Sequence, residues 1–125
     1  MVWWLYNSGT ITSIRGPEHT IPDFEVDYSA GYPMAQLTDL SRPYFYTFVV
    51  AGEEFIYALY FGKSVDLFFK DGELSREIFV FDYAGNLVNT YTLDHALFSL
   101  AVDEENKRFF GISSDKDPNV VIFDY

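Results

Sequence analysis

Cysteine is absent from the 125 residues, which removes disulfides, thiolate zinc sites and cysteine nucleophiles together. Cations are scarce: 8 Lys and Arg stand against 19 Asp and Glu, a net charge of −11. Such a deficit excludes electrostatic binding to nucleic acid or to an anionic membrane surface, because counterion release requires a surplus of cations. The apolar start Met1-Val2-Trp3-Trp4-Leu5-Tyr6 follows no basic segment and stops at Asn7, so no secretory signal is read in it. Apolar runs long enough to cross a bilayer are missing too, residues 55–61 being among the longest. The chain as written therefore reads as soluble, with no nucleic-acid partner and no membrane insertion. Glycine-rich phosphate loops and a Gly-x-Ser-x-Gly nucleophile elbow are also lacking.

Aromatic residues are plentiful instead: 13 Phe, 10 Tyr and 2 Trp make up 20% of the chain. With 49% apolar residues this is no disordered acidic tail, and one domain is expected at this length. Helical periodicity is hard to find. Short aromatic and β-branched runs alternate with turn signals, which predicts an all-β protein of antiparallel strands. Runs at 2–6 and 10–15 flank Asn7-Ser8-Gly9, and runs at 44–50 and 54–61 flank Ala51-Gly52. Runs at 77–83 and 87–93 flank Ala84-Gly85-Asn86, and runs at 97–102 and 107–113 flank Asp103-Glu104-Glu105-Asn106. A last run covers 120–125. Such short loops make hairpins rather than crossovers. Residues 16–43 carry Pro17, Pro22, Pro33 and Pro43, which predicts an irregular connection with at most one short strand at 24–27. Residues 62–76 read as an extended loop pinned by Phe68-Phe69.

The chain also repeats itself. Ile78-Phe79-Val80-Phe81-Asp82-Tyr83 recurs as Val120-Val121-Ile122-Phe123-Asp124-Tyr125, 125 − 83 = 42 residues later. Upstream, Ile56-Tyr57-Ala58-Leu59 matches Phe109-Phe110-Gly111-Ile112 with a spacing of 110 − 57 = 53. The excess, 53 − 42 = 11, is about the length of the 62–76 excursion. A period of roughly 40–45 residues, each with four short antiparallel strands, is the signature of propeller blades. A lone blade is apolar on both faces and must stack on neighbours, which accounts for aromatics at both strand parities. The expected layout is one partial propeller domain over 1–125, with two to three blades and no closed ring. Residues 1–15 form the outer hairpin of one blade, 16–43 the connection, 44–93 a complete blade with the insertion 62–76, and 94–125 an incomplete blade.

Three segments carry a resemblance: Phe55-Ile56-Tyr57-Ala58-Leu59-Tyr60-Phe61-Gly62-Lys63, Glu77-Ile78-Phe79-Val80-Phe81-Asp82-Tyr83-Ala84-Gly85-Asn86, and the stretch from Leu100 to Gly111. In this order they resemble the C-terminal blades of the TolB-like six-bladed β-propeller family of Gram-negative gut bacteria. The resemblance is good over 44–125 and weak over 4–14. It implies a periplasmic or cell-envelope binding module that is non-catalytic and needs no cofactor.

Candidate chemistry is sparse. Asp23, Glu25 and Asp27 alternate, so an extended segment would put three carboxylates on one face, as a calcium site requires; a solvated edge strand gives the same pattern. Asp115, Asp117 and Asn119 read as turn chemistry. Asp94-His95 sets a carboxylate beside an imidazole, and with the acidic positions it is the candidate for the alternative reading, a propeller-type hydrolase or lyase fragment. A further alternative is a truncated product with no activity of its own. Ser113-Ser114-Asp115-Lys116 matches Ser-x-x-Lys but begins a β-turn, where serine and lysine do not meet. His19 has no evident partner.

The sharpest expectation concerns association. The strand at 120–125 would leave an open edge carrying Val121, Phe123 and Tyr125, and Trp3-Trp4 would place one ring in the core and the other at an interface. Self-association into a homodimer or higher oligomer follows. The competing arrangement folds 16–43 over the exposed face as a cap.

Overall fold

A computed structural model describes residues 2–7, 10–15, 23–113 and 119–125, the side chains of 2–15, 44 and 45 excepted. Its strands are β1 (Val2–Asn7), β2 (Thr10–Arg15), β3 (Phe24–Asp27), β4 (Met34–Leu37), β5 (Pro43–Ala51), β6 (Phe55–Ser64), β7 (Ser75–Asp82), β8 (Leu87–Asp103), β9 (Arg108–Ser113) and β10 (Asn119–Asp124). One helical turn, α1 (Val65–Phe69), lies between β6 and β7. All ladders among these strands are antiparallel, as the short connections predict.

Six strands form a single sheet in the order β10-β9-β8-β7-β6-β5. Strand β8 holds its two parts together. The runs at 87–93 and 97–102, read from sequence as separate strands, are one strand of 17 residues. Its first half pairs with β7 and its second half with β9. Leu97 stands opposite Ser75 on one side and Ser113 on the other, so both ladders need extended backbone there. The register shifts between the pairs Ser75–Leu97 and Glu77–Thr92, and the surplus residues of β8 bulge out of the ladder. The Arg76 guanidinium donates to the Asp94 carbonyl at 2.6 Å, meeting the demand of an oxygen in that bulge. The residues between the two runs are thus the crease of a continuous strand.

About this crease the sheet divides into a four-stranded blade, β5-β6-β7-β8, and a three-stranded one, β8-β9-β10. Tyr57, Leu59, Ile78 and Val80 from the first pack with Leu97, Leu100 and Phe109 from the second in one buried cluster. Gly111 lies in the middle of the second blade's inner face, where a Cβ would come within 2.4 Å of Leu97 Cδ1. Its missing side chain is what lets Leu97 cross β9. The opposite face of the first blade holds a second cluster of Tyr46, Ile56, Ala58 and Phe81, also buried.

Two local expectations change. The strand at Phe24–Asp27 is present but has a partner, β4, whose Met-Ala-Gln-Leu sequence carries no β-branched or aromatic signal. The insertion is not one extended loop: β6 runs on to Ser64, α1 follows, and Phe68 lies edge-on to Phe61 at 5.4 Å. Phe69 is exposed. Backbone bonds from Val65 to the Arg42 carbonyl and from Asp66 to the Leu40 carbonyl tie the end of the 23–43 segment to this helical turn.

Candidate interaction face

The blade junction is fastened at one end by a single carboxylate. Asp103-Glu104-Glu105-Asn106 is a hairpin turn, with Asp103 accepting from the Asn106 backbone N–H at 3.0 Å and side-chain amide at 2.8 Å. Glu104, however, reaches across to the β5–β6 turn. It accepts from the backbone N–H groups of Glu53, Glu54 and Phe55 at 2.6, 3.0 and 3.1 Å, and from the Tyr57 hydroxyl at 3.0 Å. A Cβ on Gly52 would sit 2.2 Å from Glu104 Oε1, so the approach depends on that glycine. Burial pushes the Glu104 carboxyl up, but the bonds from Glu54, Tyr57, Phe55 and Glu53 together outweigh it and hold it below the ordinary glutamate range. Burial likewise raises Tyr57, helped by its bonds to Tyr125 and Glu104, so it stays a protonated donor. In sequence this glutamate is an ordinary charged turn residue. Only the neighbouring blade gives it a role.

The far face of the second blade repeats the chemistry of the junction without a neighbour. Ladder partners share a face, so it carries the rows Ser99–Ile112–Val120 and Ala101–Phe110–Ile122. The corresponding rows of the first blade are Phe48–Leu59–Ile78 and Val50–Tyr57–Val80. The 42- and 53-residue spacings set Ile78 against Val120, Val80 against Ile122, Leu59 against Ile112 and Tyr57 against Phe110. Ile78 and Val80 are 0% and 3% exposed, whereas Val120 and Ile122 are 68% and 60% exposed. Ile112 is exposed and Phe110 half-buried, and Phe98, displaced by a register shift in β8, adds a further exposed ring. The described part of 16–43 does not cover this face.

Parity corrects the expected interaction edge. Val121, Phe123 and Tyr125 are partly buried and pack on the inter-blade cluster. Tyr125 stacks on Phe109 with centroids 4.1 Å apart. The outward residues of β10 are Val120 and Ile122, because alternation turns neighbours to opposite faces. Trp3 and Trp4 lie in β1, opposite Ile14 and Ser13, but their side chains fall outside the described residues. His19, Asp115, Asp117 and Lys116 lie outside them as well.

The acidic candidates are not brought together. Asp23 pairs with Arg42 at 2.6 Å, and Asp27 accepts from the Ser29 backbone and hydroxyl. Glu25 joins neither, and among the described residues no group of three His, Asp or Glu side chains could hold a metal ion. Asp94 and His95 form an exposed pair at 2.8 Å. Two clefts of about 640 and 740 Å³ flank the blades, the first against Lys63, Glu73 and Arg76 and the second against Glu54, Tyr91 and Lys107. Neither is lined by Asp94 or His95. A His95→Ala variant should therefore keep its unfolding free energy within about 0.5 kcal/mol by urea titration.

Among the described residues no helix is long and apolar enough to cross a membrane. No curated protein and no solved structure matches the chain. A family model described as TolB-like 6-blade propeller-like does match, over residues 2–105. Two creased blades stacked face to face, with matching rows repeated along the chain, are the architecture such a family builds, and the chain belongs to the TolB-like six-bladed propeller-like family.

Proposed function

We propose that this chain is a non-catalytic interaction module of the cell envelope that docks a protein partner through the outer face of its second blade. One observation carries the reading. The rows that bury Leu59, Ile78, Tyr57 and Val80 inside the first junction recur, apolar at each of these positions, as Ile112, Val120, Phe110 and Ile122 on a face open to solvent. An apolar patch built to the pattern of a packed one is a binding surface in waiting. The exposed Asp94–His95 pair, which lines neither cleft, lends little to a hydrolase or lyase reading. Membership of a TolB-like family supports the envelope location.

The test is site-specific photo-cross-linking in cells, with the cross-linker at position 122 or, as a control, at the equally exposed Phe69. Discrete adducts from position 122 alone, lost when Val120 is changed to Asp, are the expected result. No adduct at 122, or the same adducts at both positions, would contradict the reading.

A further inference from the structure

We infer that the β5–β6 turn is a binding site for a carboxylate, which the chain fills with its own Glu104 and for which a small carboxylic acid with an apolar body competes. The site is separate from the docking face and rests on the geometry of its donors. Three successive backbone N–H groups, those of Glu53, Glu54 and Phe55, converge on one carboxylate, and the Tyr57 hydroxyl adds a fourth bond from the strand that follows. Consecutive amides aimed at one point make a concave anion site. The turn does not need the carboxylate to close itself, because the Gly52 N–H already donates to the Phe55 carbonyl at 2.7 Å. Nor does the opposite hairpin need it, since Asp103 clasps Asn106 independently. The approach is kept open by a glycine: a Cβ on Gly52 would lie 2.2 Å from Glu104 Oε1. Donors, glycine and acceptor all fall between positions 52 and 104, well inside the chain.

The surroundings define what else fits. Glu53, Glu54, Phe55, Tyr57 and Glu104 all line the cleft of about 740 Å³, a size that holds a small organic molecule. Phe55, Val88 and Tyr91 offer apolar surface there to a hydrocarbon or aromatic body. The only cation in the cleft, Lys107, lies with its ammonium 5.7 Å from the Tyr125 ring centroid. The carboxylates of Glu53, Glu54, Asp103 and Glu105 line the same cleft and repel a second negative charge. A monocarboxylate is therefore favoured over a dicarboxylate or a phosphate. Glu104 competes from its tether at a high effective concentration, so the apolar body has to supply what displaces it. Exchange releases the second blade's turn from the first blade's turn and leaves the buried inter-blade cluster in place.

The experiment titrates the full chain with 3-phenylpropionate and with acetate at neutral pH and constant ionic strength, in wild type and in Glu104→Ala. Nitrogen–proton NMR and thermal unfolding supply the readouts. In Glu104→Ala both acids should shift the Glu53, Glu54 and Phe55 amide resonances saturably, 3-phenylpropionate at the lower concentration. Each should raise the thermal midpoint by about 5 °C at ten times its dissociation constant. If Glu104→Ala is unfolded, the acids should restore folding, which circular dichroism reads. Wild type should bind 3-phenylpropionate at the same amides about tenfold more weakly or worse, because Glu104 competes. Acetamide, which carries no charge, and succinate, which carries two, should do neither. Adding Tyr57→Phe to Glu104→Ala should weaken acetate about tenfold by removing one donor to a charged acceptor. The inference is overturned by the absence of a saturable shift in Glu104→Ala, by an unfolded variant that neither acid refolds, or by equal affinity in wild type and variant.

Discussion

Phe109→Ala is expected to cost about 3–5 kcal/mol of folding stability and to lower the thermal midpoint on the order of 15 °C. Phe109 is 1% exposed at the centre of the blade junction. Its ring stacks on Tyr125 at 4.1 Å and meets Tyr57 and Tyr91 edge-on at 5.6 and 5.2 Å. Truncation removes the shared partner of all three and leaves a cavity that β9, paired on both sides, cannot close. Phe98 supplies the comparison: it lies in the same blade but is 52% exposed, and its truncation should cost under about 1 kcal/mol. Urea titration of both variants reads the difference directly. Equal losses would mean that the blades do not face each other as described.

Replacing Glu104 should have the next largest effect, and the effect should depend on pH. In Glu104→Ala the part-buried Phe55 N–H loses this acceptor and the Tyr57 hydroxyl is left with only the Tyr125 hydroxyl at 3.3 Å; the Glu53 and Glu54 amides at the exposed turn can turn to water. One stranded donor and one weakened one cost about 1–3 kcal/mol. Glu104→Gln keeps one oxygen acceptor but introduces an amide that faces donors, and should recover only part of the loss. The folded carboxyl lies below its ordinary value of 4.5, so its contribution is complete above that pH and is lost as pH falls through the folded value. The gap between wild type and Glu104→Gln should thus be widest near neutrality and narrow steadily below about pH 5. A gap constant from pH 3 to pH 7 would mean that the carboxylate does not latch the junction.

The hairpins were readable because their signals are local. Period-two aromatic runs end at Gly52, at Gly85-Asn86 and at Asn106, and each connection is too short for anything but a hairpin. The Asp82 clasp on Asn86 and the Asp103 clasp on Asn106 are turn chemistry of the kind those residues announce. What escaped is decided by neighbours distant in sequence. Asp94-His95-Ala96 has turn-like composition, yet Leu97 is held by two ladders and the strand stays whole. Strand β4 is a strand only because β3 needs a partner. Parity at the last strand could not be read because Val120, Val121, Ile122 and Phe123 are apolar on both faces, as a blade stacked on two sides requires. Glu104 was invisible for a similar reason: its acceptor role exists only once the first blade's turn is in place.

The central claim is that Val120 and Ile122 occupy on the second blade the places of Ile78 and Val80 on the first, buried in one case and open in the other. Because the chain has no cysteine, single cysteines can report on it one position at a time. The decisive measurement is the rate of thiol labelling of Ile78→Cys, Val80→Cys, Val120→Cys and Ile122→Cys in dilute, native solution. Positions 120 and 122 should label at near the rate of a free thiol, and positions 78 and 80 only through unfolding, slower by orders of magnitude. Comparable protection at all four positions, or ready labelling at 78 and 80, would contradict the account.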